Sequence, residues 1–197
     1  MAQYSYPTSD VDNSGAWTSA PLYAKIDEEP YDDADYVTSP KTASSKSFTV
    51  GLGGTITDPA SSTGHIFRVR ARSSGSGTMQ VELLEGSTVR ATLSTFSLTT
   101  SFAEYSYTLT GTEADSITDY TALRIRVTAV TTGTNKYQYV SWARFEAPDL
   151  AATQKSVADT GTGADALAAV KAKLAVNDGG AGTDGLSGLK AGLSLAE

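Results

Sequence analysis

From about Lys46 to Glu146, apolar and polar positions alternate in short runs separated by Gly, Asp, Ser and Thr, the period of strands with one wet face. In the run from His65 to Arg72, Phe67, Val69 and Ala71 fall on one face and Arg68, Arg70 and Arg72 on the other. The pattern recurs in Met79, Val81 and Leu83 opposite Gln80 and Glu82, and in Val89, Ala91 and Leu93 opposite Arg90 and Thr92. It returns in Leu123, Ile125 and Val127 opposite Arg124 and Arg126. Turn residues at Gly75-Ser76-Gly77 and Glu85-Gly86-Ser87 predict that the first three runs form two antiparallel hairpins. Further strands are expected over 47–52, 102–109 and 137–145, with a capped helical turn over 112–119. Strands with one apolar face each must stack those faces together. The expected fold is therefore all-β: a two-sheet antiparallel β-sandwich, a jelly roll with a helical corner, spanning residues 1–149. Its interior is expected to draw on Phe48, Phe67, Phe96 or Leu98, Tyr107, Phe145 and, foremost, Trp142.

After Pro148 the texture changes, and residues 150–197 form a Gly/Ala/Leu-rich tail containing a duplicated unit of 19 residues, 157–175 followed by 176–194. Val157 and Val176, Asp165 and Asp184, Leu167 and Leu186, and Lys171 and Lys190 are among the matching pairs. Each unit reads as a Gly-rich loop, an Asp at a helix start, and a short helix with an apolar stripe, Leu167, Val170 and Leu174 in the first and Leu186, Leu189 and Leu193 in the second. Helices this short do not persist alone in water, so the stripes are expected to dock on the sandwich, on sister copies in a homo-oligomer, or on another protein. Gly185, Gly188 and Gly192 make the second copy the more dependent on a partner. Residues 179–187 fit a calcium-binding nonapeptide, but the 19-residue spacing lacks the tandem stacking that shares an ion between turns.

Charge is unevenly spread. Residues 1–40 hold eight acids, Asp10, Asp12, Asp27, Glu28, Glu29, Asp32, Asp33 and Asp35, against Lys25, which equals the net charge of −7 of the whole chain. The block reads as a solvated turn, a docking surface for a basic partner, or a calcium site, although no EF-hand spacing is present. The acidic balance opposes nucleic-acid binding. No apolar stretch approaches the ~18 residues needed to cross a bilayer, and the first residues have no export-signal pattern, so no membrane role is expected. The lack of Cys and the single His65 exclude thiolate sites and make His-based metal sites or triads hard to assemble. No cofactor is implied. A glycan hydrolase would need two carboxylates across a cleft, and no such pair is identifiable, so the chain is expected not to be an enzyme.

Two surface features remain. Arg68, Arg70, Arg72, Arg124 and Arg126 read as a basic surface for an acidic ligand or neighbour, or as cross-strand partners of Glu82, Glu104 and Glu146. Because Asp27, Glu28, Asp32, Asp33 and Asp35 carry the opposite sign, the two patches of neighbouring copies could pair head to tail. Tyr4, Tyr6, Trp17, Tyr23, Tyr31, Tyr36, Tyr105, Tyr137 and Tyr139 are candidates for stacking on a surface glycan, or else ordinary strand residues with a wet tip.

The runs Asp10-Val11-Asp12, Gly15-Ala16-Trp17, Tyr23 to Glu28, Asp32 to Val37, Gly64 to Arg72, Val81 to Gly86, Glu113 to Tyr120 and Val140-Ser141-Trp142 together resemble a jelly-roll module of structural proteins of tailed bacteriophages, over about residues 7 to 149. The Asp/Gly/Leu repeats are similar to low-complexity stretches of such proteins. The resemblance implies a non-enzymatic virion component, a capsid decoration, head-fibre, or neck/tail-associated protein contacting other virion proteins, and an ordered acidic segment from Ile26 to Val37. Against that structural role stands the alternative of a glycan-binding, host-adsorption module on a virion appendage.

Overall fold

A computed structural model describes residues 2–54 and 56–150. The repeats at 157–175 and 176–194, their stripe of Leu167, Val170, Leu174, Leu186, Leu189 and Leu193, and the nonapeptide at 179–187 lie outside the described residues. The elements in chain order are β1 (Gln3–Asp12), β2 (Val37–Thr38), β3 (Ser44–Gly53), β4 (Ile66–Ser73), β5 (Gly77–Glu85), β6 (Thr88–Ser97), β7 (Ala103–Thr108), α1 (Gly111–Asp115), β8 (Leu123–Thr132) and β9 (Gln138–Ala147). The strands run β6-β5-β8-β3 in one sheet and β9-β4-β7 in the other, and all pairings are antiparallel. β1 joins both, pairing with β9 through Gln3 to Ser5 and with β3 from Tyr6 onward. We call the sheet of β1, β9, β4 and β7 sheet A and its partner sheet B. The orders β1-β9-β4-β7 and β3-β8-β5-β6 are the double Greek key of a jelly roll.

The alternation read from the sequence is what builds the core. Phe48, Val50, Met79, Val81, Leu83, Ile125 and Val127 from sheet B meet Phe67, Val69, Ala71, Val140 and Phe145 from sheet A, all fully buried. At about 1.5–3 kcal/mol for each large side chain removed from water, this layer supplies the driving force for closure. The helical corner forms where expected: Thr110 and Glu113 make a reciprocal capping box that starts α1. The β5–β6 hairpin also forms, with Gly86 at φ +59°, a left-handed turn position that favours glycine.

The expected hairpin between the strands at 65–72 and 79–83 does not form. β4 pairs with β7 and β9, whereas β5 pairs with β6 and β8, so the Gly75 turn carries the chain from sheet A to sheet B. A sandwich corner and a hairpin need the same one-sided strands and the same turn residues, so alternation cannot separate them. β1 and β2 were not legible. β1 contains Pro7, two acids and several hydroxyls, and much of it is exposed. β2 is two residues long and is defined by its place on β9, not by its own pattern.

Sheet A would be left with one open side along β9, and short pieces of the first forty residues close it. Val37 and Thr38 pair with Val140 and Tyr139, the Ala143 amide donates to the Ile26 carbonyl at 2.9 Å, and Ser5 pairs with Phe145. Leu22, Ile26 and Val37 anchor these pieces in the core, and Trp17 packs edge-on against Phe48 with ring centroids 4.8 Å apart. The acidic segment from Ile26 to Val37 is thus tied to the sandwich along β9.

Near α1 the core contains a polar pair, His65 and Tyr120, whose Nε2 and hydroxyl share a 2.8 Å hydrogen bond. Burial holds the His65 imidazole below its ordinary range and pushes the Tyr120 phenol up to about 12. A neutral histidine in the folded state stabilises fully above the unfolded imidazole pKa of about 6.5, and this contribution is lost as pH falls through the lower folded value. Urea unfolding at pH 7.5 and 5.0 is therefore expected to show a larger loss for the native chain than for His65→Gln. Parallel losses in the two proteins would show that His65 does not couple protonation to folding.

Candidate functional site

The outer face of sheet A is shaped by an irregularity in β9. Arg70 lies opposite Trp142 and Ala71 opposite Val140, so Ser141 is an extra residue in the ladder. This β-bulge breaks the inward-outward phase: Val140, Ala143 and Phe145 join the core, while Ser141 and Trp142 face the other way with Arg70. Trp142 is only 2% exposed, yet it is not part of the core cluster. The expectation that it anchors the interior is corrected: it is buried on the outside, beneath the acidic segment.

That segment meets the arginines of its own chain. Asp33 accepts a two-pronged pair of hydrogen bonds from Arg70, Nε at 2.7 Å and Nη2 at 2.6 Å, and a third from the Ser141 hydroxyl at 3.0 Å. The Arg70 contact holds the Asp33 carboxyl below its ordinary range. Glu29 accepts from Arg144 at 3.2 Å and from the Tyr6 hydroxyl at 2.9 Å. Asp35 pairs with Lys25 at 3.0 Å, and Asp32 accepts from the Ala34 amide to close its own turn. Burial pushes the Glu28 carboxyl up, with Asp27, Asp35 and Asp32 adding in the same direction. Arg68 is held by Glu104 at 2.8 Å and faces Glu146 at 3.6 Å.

Rings are interleaved with these guanidiniums. Arg70 lies 4.1 Å from the centroid of Tyr31, which packs edge-on to Trp142 at 6.1 Å. Arg144 lies 4.6 Å from the Tyr4 ring and 4.8 Å from the Trp142 ring. At the other end of the face, Arg72 is surrounded by Tyr139 at 3.9 Å, Phe102 at 5.0 Å and Tyr36 at 5.9 Å. Tyr36 stands perpendicular to Tyr139 at 5.2 Å, and Tyr137 lies 6.4 Å from Tyr139. Tyr36, Phe102, Tyr137 and Tyr139 are half-buried, and Tyr4 and Tyr31 are exposed.

The arginines expected to form one basic surface are divided. Arg68, Arg70 and Arg72 lie on the outer face of sheet A because β4 belongs there, whereas Arg124 and Arg126 lie on the outer face of sheet B with β8. Arg126 pairs with Glu82 at 2.7 Å, and Arg68 with Glu104, two of the cross-strand partners read from the sequence. Within the chain, Arg70 pairs with Asp33 of the acidic block, and Arg144 pairs with Glu29. Of the aromatic candidates, Trp17 is core, Tyr23 packs against the core, and Tyr105 stacks on Phe96 at 4.4 Å. Arg144 and Phe102 were missed. Arg144 follows the bulge that hides its phase, and Phe102 sits in the connection just before β7. Among the described residues, no three His, Asp or Glu side chains gather as a metal site. A depression of about 360 Å³ lies elsewhere, lined by Thr78, Ser97, Thr131 and Thr132 without an ionisable side chain.

No protein-family model matches this chain, and no curated protein matches it. Solved structures with a similar course include a CBM4 protein (15% identity, TM-score 0.40, 58% of this chain and 72% of that one). Another is the CBM36-1 domain of a multidomain xylanase from the hindgut metagenome of Trinervitermes trinervoides (14%, TM-score 0.38, 75% and 97%). A third is a family 29 carbohydrate-binding module from Piromyces equi (17%, TM-score 0.36, 75% and 92%). Likeness at this level does not define a ligand for this chain.

The Asp33–Arg70 contact is two-pronged, but the Asp33 side chain is 39% exposed, which screens it. A double-mutant cycle with Asp33→Ala and Arg70→Ala is expected to give a coupling of about 1 kcal/mol in urea unfolding. A coupling of zero would mean that the acidic segment is not held by this pair.

Proposed function

We propose that the chain is a non-catalytic carbohydrate-binding module whose ligand face is the outer face of sheet A, at the end formed by Tyr36, Phe102 and Tyr139. The observation that carries this reading is a set of half-buried rings held in fixed relative orientation beside a guanidinium. Aromatic faces accept the C–H face of a sugar ring, and neighbouring polar groups fix its orientation. Side chains already locked by mutual contact lose little freedom on binding. Among the described residues, the outer face of sheet B offers no such platform: across β3, β8 and β5 it presents Ser47, Thr49, Gly51, Arg124, Arg126 and Glu82.

A virion setting is a second proposal, carried by the resemblance over residues 7 to 149. In that setting the module sits on a particle as a decoration, head-fibre, neck or tail-associated protein, and the repeats at 157–175 and 176–194 are its attachment and oligomerisation element. The two proposals are compatible, since a particle can display a glycan-binding sandwich. A chain deleted from residue 150 onward is the test of the second: it should fold but fail to join particles, and retained incorporation would end that reading.

For the glycan reading, the full chain should bind at least one glycan on a broad array. Tyr139→Ala is expected to weaken that binding about tenfold, a loss of about 1.4 kcal/mol. Arg126→Gln, on the opposite sheet, should leave it unchanged. Binding indifferent to Tyr139→Ala, or no glycan bound at all, would contradict the proposal.

A further inference from the structure

Outer-face arginines of sheet A differ in one respect. Arg68, Arg70 and Arg144 each meet a carboxylate, Glu104, Asp33 and Glu29 respectively. Arg72 makes no direct ion pair or hydrogen bond among the described residues, although Asp33 is near enough to feel its charge; its cross-strand neighbour on β9 is Tyr139. The acid closest to it in the strap's sequence order, Asp35 beside Tyr36, is turned to Lys25. A guanidinium stays charged at any ordinary pH and carries five N–H donors in a planar fork. Rings at 3.9, 5.0 and 5.9 Å stabilise the charge through their π-faces. They accept none of its in-plane hydrogen bonds, so the fork keeps its donors while the rings hold the guanidinium plane.

We infer that Arg72 is the specificity-determining residue of this face and that it takes the carboxylate of an acidic sugar, whose ring lies on Tyr139 and Tyr36. This rests on the glycan-binding reading of the same face. A carboxylate fits the fork in a two-pronged geometry, the arrangement Arg70 already makes with Asp33. The chain's net charge of −7 disfavours dense polyanions such as nucleic acids, which bind through many phosphates at once. One protected guanidinium among aromatic rings instead suits a glycan that places a single carboxylate at the site.

The test is isothermal titration calorimetry of the full chain with oligosaccharides of polygalacturonate, alginate and hyaluronan, each beside its carboxyl-reduced form, with dextran sulfate as competitor. At least one acidic oligosaccharide should bind ten times or more tighter than its reduced form. Arg72→Gln should abolish that preference, Arg72→Lys should keep part of it, and Tyr139→Ala should weaken both forms. Equal affinity for both forms, an equal loss on both with Arg72→Gln, or competition by dextran sulfate as strong as by the acidic sugar would overturn the role of Arg72. The glycan reading would survive those results wherever binding still depended on Tyr139. No binding by acidic, reduced or neutral glycans would overturn both. The comparison of carboxylated with reduced ligand needs no variant, so a folding defect in Arg72→Gln would not leave the inference without a test.

Discussion

A row of guanidiniums on one face of a β-sheet repels itself unless counter-charge is brought to it, and in this protein Glu104 and Glu146 supply part of it from the sheet and the chain's own first forty residues supply the rest. Asp33 meets Arg70 and Ser141, and Glu29 meets Arg144. Those contacts are possible because the bulge in β9 turns Ser141 and Trp142 outward on the same side as Arg70. If alternation ran unbroken from Val140, Trp142 would turn into the core and the apolar floor on which the segment lies would be lost. The bulge, the buried outer tryptophan and the acidic strap are one arrangement.

The strap also has a purely structural duty. Along its course Ile26 and Val37 enter the core, and main-chain groups at Ile26 and β2 complete the free side of β9. Edge closure, burial and charge pairing act on the same dozen residues, so each stabilises the geometry the others need. The strap pairs its carboxylates with Arg70 and Arg144 in the middle of the face and brings a ring, Tyr36, but no carboxylate hydrogen bond, to Arg72. The face is thereby divided into a part satisfied internally and an end where rings and one guanidinium remain open to a ligand.

Much of the sandwich could be read from the chain. Alternation in 65–72, 79–83 and 123–127 places the inward side chains correctly because both sheets have one apolar face, whereas Val89, expected inward beside Ala91 and Leu93, is exposed because a register shift puts it opposite Leu84, and the box of Thr110 and Glu113 marks the helical corner. Sheet membership could not be read, since a turn at Gly75 serves a hairpin and a sandwich crossing equally well. That ambiguity made a single surface out of Arg68, Arg70, Arg72, Arg124 and Arg126, which occupy opposite faces. The opposite signs of the acidic block and the arginines were visible in the composition, but whether they meet within one copy or between two depends on the course of the strap. The bulge has no local signature, so plain alternation from Val140 turns Trp142 inward and hides the outward phase of Arg144.

The central claim is that the strap is closed over Trp142 in the free chain, and the protein offers a direct reporter because Trp17 and Trp142 are its two tryptophans. In a Trp17→Phe background, acrylamide quenching of Trp142 fluorescence is the measurement. Strong protection, lost when Asp33→Ala and Glu29→Ala are introduced together, is the result this account predicts. Ready quenching in the Trp17→Phe protein, or protection indifferent to both carboxylates, would contradict it.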